Sequence, residues 1–223
     1  MGKDDLFKKK RAQREQRKFE TRNPNINSYL IVTEGERTEP LYFAGLKELI
    51  QNKYGGTIKV VEIKIEGKGC GTNKLIEKTD EIVSRSKTMF QNVWIVFDKD
   101  DFIDFDAAVS NGLRKGYNIA WSNQSFEYWL YLHFEYSDSA LHRDDWCKKL
   151  DVLFKKYDIG NEYHKNCKDL YILLNSFDGV ETAIKNAKRR MAGFVADKHK
   201  PSEYNPGTTV YHLVADLKKY LDD

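Results

Sequence analysis

Five consecutive apolar residues, Val93-Trp-Ile-Val-Phe97, break abruptly into Asp98, Asp100 and Asp101. So short an unbroken apolar run predicts a strand buried on both faces, as in a parallel sheet covered by helices on each side. Residues two apart in an extended chain project to the same side. Asp98 and Asp100 are therefore expected to present two carboxylates at the strand's carboxyl end, where open α/β sheets bind their ligands. Like charges held close repel unless a cation neutralises them, and hard carboxylate oxygens suit Mg²⁺ or Mn²⁺. A plain turn accounts for the same residues, since Asp is common after a strand.

An earlier run has the same design. Ser28-Tyr-Leu-Ile-Val-Thr33 reads as a first buried strand and ends in Glu34-Gly-Glu-Arg-Thr-Glu-Pro40. Gly35 permits a tight turn, and Thr38 with Pro40 predicts a helix start with Thr38 as the capping residue. An apolar stripe over Leu41, Tyr42, Ala44, Leu46, Leu49 and Ile50 continues that helix. Strand, turn and helix in this order put Glu34 at the same sheet edge as Asp98, although acidic residues near helix starts are often only caps.

The remaining punctuation continues the alternation. Residues 57–65 alternate like a more exposed edge strand, and Gly67-Lys-Gly-Cys-Gly-Thr72 then leads into a helix over 72–89. That glycine-rich loop lacks the closing Gly-Lys-Ser/Thr of a phosphate loop, so a connector is expected, with a substrate-phosphate contact as the alternative. A helix over 104–116 and a fourth strand over 117–121 follow. The next helix is capped by Ser122, Asn123 or Ser125 and carries Glu127 in its first turn. The helix dipole explains Glu127 fully; delivery of another carboxylate to the sheet edge is the rival reading. His133, on an apolar helical face, is expected to be a satisfied core histidine. From residue 141 the signals are helical, over 141–157, 166–174, 178–197 and 208–221, and predict no further strand. Strands alternating with helices between 28 and 134 predict an α/β fold with about four mainly parallel strands and right-handed crossovers.

Charge separates a leader from the rest. Residues 1–22 hold nine Lys/Arg against four Asp/Glu, leaving 28 basic against 30 acidic residues elsewhere. Lys8, Lys9, Lys10 and Arg11 lie in a stretch with almost no apolar face, so it is either a phosphate-contacting arm or a solvated tail. Asn23-Pro24 closes it. The expected organisation is a flexible leader over 1–24, an α/β core over 25–136 and a helical portion over 137–223 packed on the core. Lys185, Lys188, Arg189 and Arg190 form a second basic patch, open to the same two readings. No segment approaches the roughly 18 apolar residues a membrane span needs. With no apolar signal core at the start, and Cys70, Cys147 and Cys167 too scattered for a disulfide framework or a zinc site, a cytoplasmic location is expected.

Glu34-Gly35 closing one strand, and Asp98-x-Asp100 closing another about 60 residues later, resemble the TOPRIM domain of topoisomerases, bacterial primases and OLD-type nucleases. More narrowly, the chain resembles the RloB family of phage-defence and restriction-associated proteins. The residues that carry this are Glu34 to Pro40 with Tyr42-Phe43, Val96-Phe-Asp-Lys-Asp100, and Ser122-Asn123 followed by Phe126-Glu127, Trp129-Leu130 and His133-Phe134. Tyr163-x-Lys165 and Asn205-Pro206-x-Thr-Thr-Val210 extend it over nearly the full length. Gln124 stands where proline is expected, and Glu39 comes five residues after Glu34 where primase and OLD motifs space their second acid by four.

The resemblance implies a TOPRIM-like core and a Mg²⁺- or Mn²⁺-dependent nuclease cleaving DNA or RNA, with an ATPase partner, since the chain has no nucleotide-hydrolysing motif of its own. It implies one or two ions held by Asp98 and Asp100, with Glu34 as ligand or general base. Glu39 or Glu127 would complete a second metal site, and Lys165 would neutralise charge developing on the phosphate. The two basic segments, Lys8 to Arg11 and Lys188 to Arg190, would supply nucleic-acid contacts. The competing expectation is a non-catalytic module binding nucleic acid or a partner. A phosphotransferase using the Gly67–Gly71 loop ranks last.

Overall fold

A computed structural model describes residues 27–54, 62–160, 162–194 and 199–222. The basic leader, with Lys8, Lys9, Lys10 and Arg11, lies outside the described residues, as does the start of the expected edge strand. The elements are β1 (Ser28–Thr33), α1 (Thr38–Lys53), β2 (Glu62–Gly67), α2 (Thr72–Arg85), β3 (Asn92–Asp98), α3 (Phe105–Arg114) and β4 (Asn118–Asn123). There follow α4 (Phe126–Tyr131), α5 (Arg143–Lys156), α6 (Leu170–Asn175), α7 (Gly179–Met191), a 3-10 turn (Pro201–Glu203), β5 (Gly207–Thr208) and α8 (Val210–Asp222).

The sheet runs in the order β2-β1-β3-β4-β5, with the first four strands parallel, so β2 takes the expected edge position. The unbroken apolar runs follow from burial on both faces. Tyr29, Ile31, Trp94, Val96 and Ala120 enter one core with α1 and α4 to α8, while Leu30, Val32, Ile95, Phe97 and Trp121 enter another with α2 and α3. This is an α/β, Rossmann-like arrangement with a helical C-terminal part. Among the described residues no helix is long and apolar enough to cross a membrane.

Three sequence expectations change. The sheet has a fifth strand: Gly207 and Thr208 pair antiparallel with Asn123 and Ser122. A two-residue strand leaves no periodicity to read; it is held instead by Thr209, whose amide donates to the Trp121 carbonyl at 2.8 Å and whose Oγ1 accepts from the Trp121 amide at 2.9 Å. Thr38 does not cap α1 but is its first residue, and its hydroxyl donates to the Lys165 carbonyl at 3.1 Å. The fourth strand, expected over 117–121, runs on through Asn123, so of the three candidate caps Ser125 is the one that stands at the N-cap position of the helix beginning at Phe126, without a side-chain capping bond.

Candidate active site

The ladder between β1 and β3 continues past Thr33, with the Glu34 amide donating to the Val96 carbonyl at 2.9 Å. This aligns Glu34 with the end of β3, and its Oε2 accepts from the Asp98 amide at 3.1 Å. The two strand ends singled out in the sequence therefore meet. Beyond them, Gly69 donates to the Glu34 carbonyl at 2.7 Å and Lys68 to the Thr33 carbonyl at 3.1 Å. The glycine-rich loop is thus fastened to the same rim, with Gly69 in a left-handed conformation.

Asp98 and Asp100 part company. β3 ends at Asp98, and Asp100 has φ of +39°, so the alternation that would align their side chains stops at the strand's end. Asp98 turns inward, where Oδ2 accepts from the Phe126 amide at 2.9 Å. Its Oδ1 is buried with no hydrogen-bond partner among the described residues. Asp100 instead meets Arg143 at the start of α5, with Nη1 and Oδ1 3.0 Å apart. The Gln124 carbonyl accepts from the Asp100 amide at 3.0 Å, which pins the loop where proline was expected.

A cavity of about 340 Å³ opens beside Asp98 and is walled by Glu39, Glu127, Lys165, Thr38, Phe126 and Gly69 among others. Glu39 is buried, and its Oε1 accepts from the Gly35 amide at 3.3 Å. Glu127 is buried too. Its Oε1 accepts from the Tyr163 hydroxyl at 3.1 Å and pairs with Lys165 Nζ at 3.1 Å. A residue that merely answered the helix dipole would face solvent, so the first-turn position of Glu127 is not its full explanation.

Burial first, and neighbouring carboxylates after it, raise the pKa values of Glu34, Asp98 and Glu39. Burial lifts Glu34 to about 7; the Asp98 amide opposes this, while Asp100, Glu39 and Asp104 add to it. Burial, then Glu39 and Glu127, hold Asp98 well above the usual carboxylate range. Glu39 is raised by burial and by Glu127, against the amides of its own turn and of Gly35. Burial works against the charge of Lys165, but its pairing with Glu127 prevails and raises its pKa.

As they stand, no three or more His, Cys, Asp or Glu side chains among the described residues are arranged to hold a metal ion. Two of the carboxylates already carry a cationic side chain, Asp100 that of Arg143 and Glu127 that of Lys165. The donor chemistry nonetheless suits a hard divalent cation, and the unpartnered Asp98 Oδ1, with Glu39 and Glu127 on the same cavity, is where one would bind.

Elsewhere, His133 is a core residue, as its apolar face implied. Its Nε2 lies 3.1 Å from the Tyr42 hydroxyl, and burial lowers its pKa to about 3. The patch at 188–190 is partly consumed: Arg190 donates to the Pro206 carbonyl at 2.9 Å, and the Arg189 guanidinium lies 4.0 Å over the Tyr136 ring. Arg143 carried no sequence signal, since one arginine at a helix start says nothing about a partner 43 residues away. Asp104, which accepts from Thr72 at 3.2 Å and from Asn73, was likewise invisible.

A family model described as RloB-like protein matches residues 29–217. No curated protein and no solved structure matches the chain.

Proposed function

The chain belongs to the RloB-like family, and from that premise we propose that it is a TOPRIM-type nuclease that cleaves nucleic-acid phosphodiesters with Mg²⁺ or Mn²⁺. The observation that carries this reading is the unpartnered Asp98 Oδ1 buried beside a cavity that Glu39 and Glu127 also wall. A protein without a cation to bind has little reason to leave a buried carboxylate oxygen unmatched. Asp98, Glu39 and Glu127 would hold one ion, with Glu34 and Asp100 at the rim for a second. When bound, such ions activate water and stabilise the leaving oxygen.

The chain's own groups do the rest. Glu34, with a pKa of about 7, is suited to take a proton from an attacking water near neutral pH. Lys165, more than half exposed at the cavity mouth, faces charge developing on a phosphate. Phage defence and an ATPase partner come to the proposal from the family resemblance alone.

A second reading, a non-catalytic module that binds nucleic acid or a partner, draws on the two ion pairs. With Arg143 on Asp100 and Lys165 on Glu127, part of the acidic cluster is already neutralised. Incubating the purified chain with Mn²⁺ and single- and double-stranded DNA and RNA, alone and with its ATPase partner, separates the two. Cleavage that disappears in Asp98→Asn supports the nuclease. Intact substrates under every condition, or cleavage retained by Asp98→Asn, leave the binding module.

A further inference from the structure

On α5, Lys148, Lys149, Val152, Lys155 and Lys156 recur at intervals of three and four residues, so they share one stripe of the helix, and all five are exposed. The opposite face is core, with Trp146, Leu150, Leu153 and Phe154 buried. The stripe borders a groove of about 360 Å³ between α5 and the end of α4, lined by Tyr131, Lys148, Lys149, Val152 and Lys156, with Glu135 at its side. Two acids answer four lysines: Asp145 pairs with Lys148 at 3.0 Å and Glu135 with Lys156 at 2.7 Å. Lys149 and Lys155 have no ion pair among the described residues.

Aromatic rings alternate with these ammonium groups. Lys149 Nζ lies 5.8 Å from the centre of Tyr131, and Lys156 Nζ lies 5.6 Å from that of Tyr157, which is 37% exposed just past the helix end. Val152, 66% exposed, adds an apolar surface to the groove. The first residue of the same helix is Arg143, the partner of Asp100. At about 1.5 Å per residue, the stripe begins about 7.5 Å along α5 from Arg143, at Lys148, and ends about 20 Å from it, at Lys156.

We propose that this outward face of α5 is a track for single-stranded nucleic acid leading to the carboxylate rim. The inference rests on the nuclease reading for where the strand goes, but not for whether it binds. Lysines meet phosphates and gain affinity by releasing counterions, while bases lie against Tyr157 and Val152. Cations interleaved with a half-open ring suit a chain of phosphates and bases better than an acidic peptide, which offers charge without stacking surface. The patch at 188–190 offers fewer free cations, because Arg190 is engaged by Pro206.

The test is fluorescence anisotropy of a labelled single-stranded 12-mer, DNA and RNA, with the full chain in EDTA, so that no turnover is needed. Lys149→Glu with Lys155→Glu should weaken binding at least tenfold. Lys149→Gln with Lys155→Gln, which removes two phosphate contacts without adding acid, should flatten the slope of log affinity against log salt by about 1.4. Unchanged affinity and slope in both pairs would overturn the track. So would an acidic peptide that competes through the same lysines while the oligonucleotide is insensitive to them. Failure of Mn²⁺-dependent cleavage with normal oligonucleotide binding would count against the nuclease alone.

Discussion

Lys165 Nζ stands 3.1 Å from Glu127 Oε1, joining an ammonium whose side chain is 63% exposed to a carboxylate whose side chain is 4% exposed. The Tyr163 hydroxyl, 3.1 Å from the same oxygen, completes the polar surroundings of Glu127 in the cavity wall. Removing one member of a buried pair costs about 3–5 kcal/mol. Because this lysine is largely in water, Lys165→Met should cost only about 1–2 kcal/mol. Urea denaturation in EDTA reads the loss, and the double variant Glu127→Gln/Lys165→Met should recover most of it. A coupling below about 0.5 kcal/mol would show that Tyr163 alone satisfies Glu127.

The raised pKa of Glu34 fixes a direction with pH. Unfolded, this carboxyl loses its proton near pH 4.5; folded, it keeps it to about pH 7. Between those values the folded chain binds the extra proton, so stability in EDTA falls as pH rises and levels off above 7. Asp98 and Glu39 push the same way. Buried His133, with its pKa lowered to about 3, works in the opposite sense below pH 6.5. Comparing wild type with Glu34→Gln cancels the histidine, and wild type should lose about 1–2 kcal/mol more between pH 5 and pH 8, allowing for partial exposure. Parallel curves for the two proteins would refute the assignment.

Asp98→Asn should separate stability from cation binding. The amide oxygen still accepts from the Phe126 amide, while a crowded acid is replaced by a neutral group, so the variant should melt higher than wild type in EDTA. Mn²⁺ at 100 times its Kd should stabilise wild type by about 2.7 kcal/mol and the variant hardly at all, with chelator reversing the gain. An equal Mn²⁺ shift in both proteins would remove Asp98 from any cation site.

Gly35→Ala tests how Glu39 is seated. A β-carbon at Gly35 would run into the Glu39 carboxylate, which lies over that backbone to accept its amide hydrogen. The side chain must move, at about 1–3 kcal/mol for an overpacked site. If Glu39 serves the cation, Mn²⁺ affinity by calorimetry should fall about tenfold as well. A fall in stability with unchanged Mn²⁺ affinity would leave Glu39 a structural role only.

What the sequence disclosed follows from how each feature is encoded. β1 was legible to its last residue because all six positions are buried, leaving four consecutive apolar residues between small hydroxyl residues, bounded by Asn and Glu. The meeting of Glu34 with Asp98 was legible because parallel strands ending in acids bring those acids to one rim. Its details were not. The parity argument for Asp100 failed at one left-handed residue, and the cavity that joins Glu39 to Glu127 depends on α1 and α4 packing across the sheet edge. Arg143 and β5 are long-range pairings with no local pattern to announce them.

β5 has a consequence for how the protein comes into being. The Ser122 carbonyl that accepts from the Lys99 amide at 2.8 Å belongs to the strand end that Thr208 closes, with the two hydroxyls 3.0 Å apart in the interior. A chain still emerging from the ribosome thus carries its acidic rim long before the residues that brace it. Lys165 arrives next and residues 207–208 later still, so the rim is completed only after more than 70 further residues have followed Glu127.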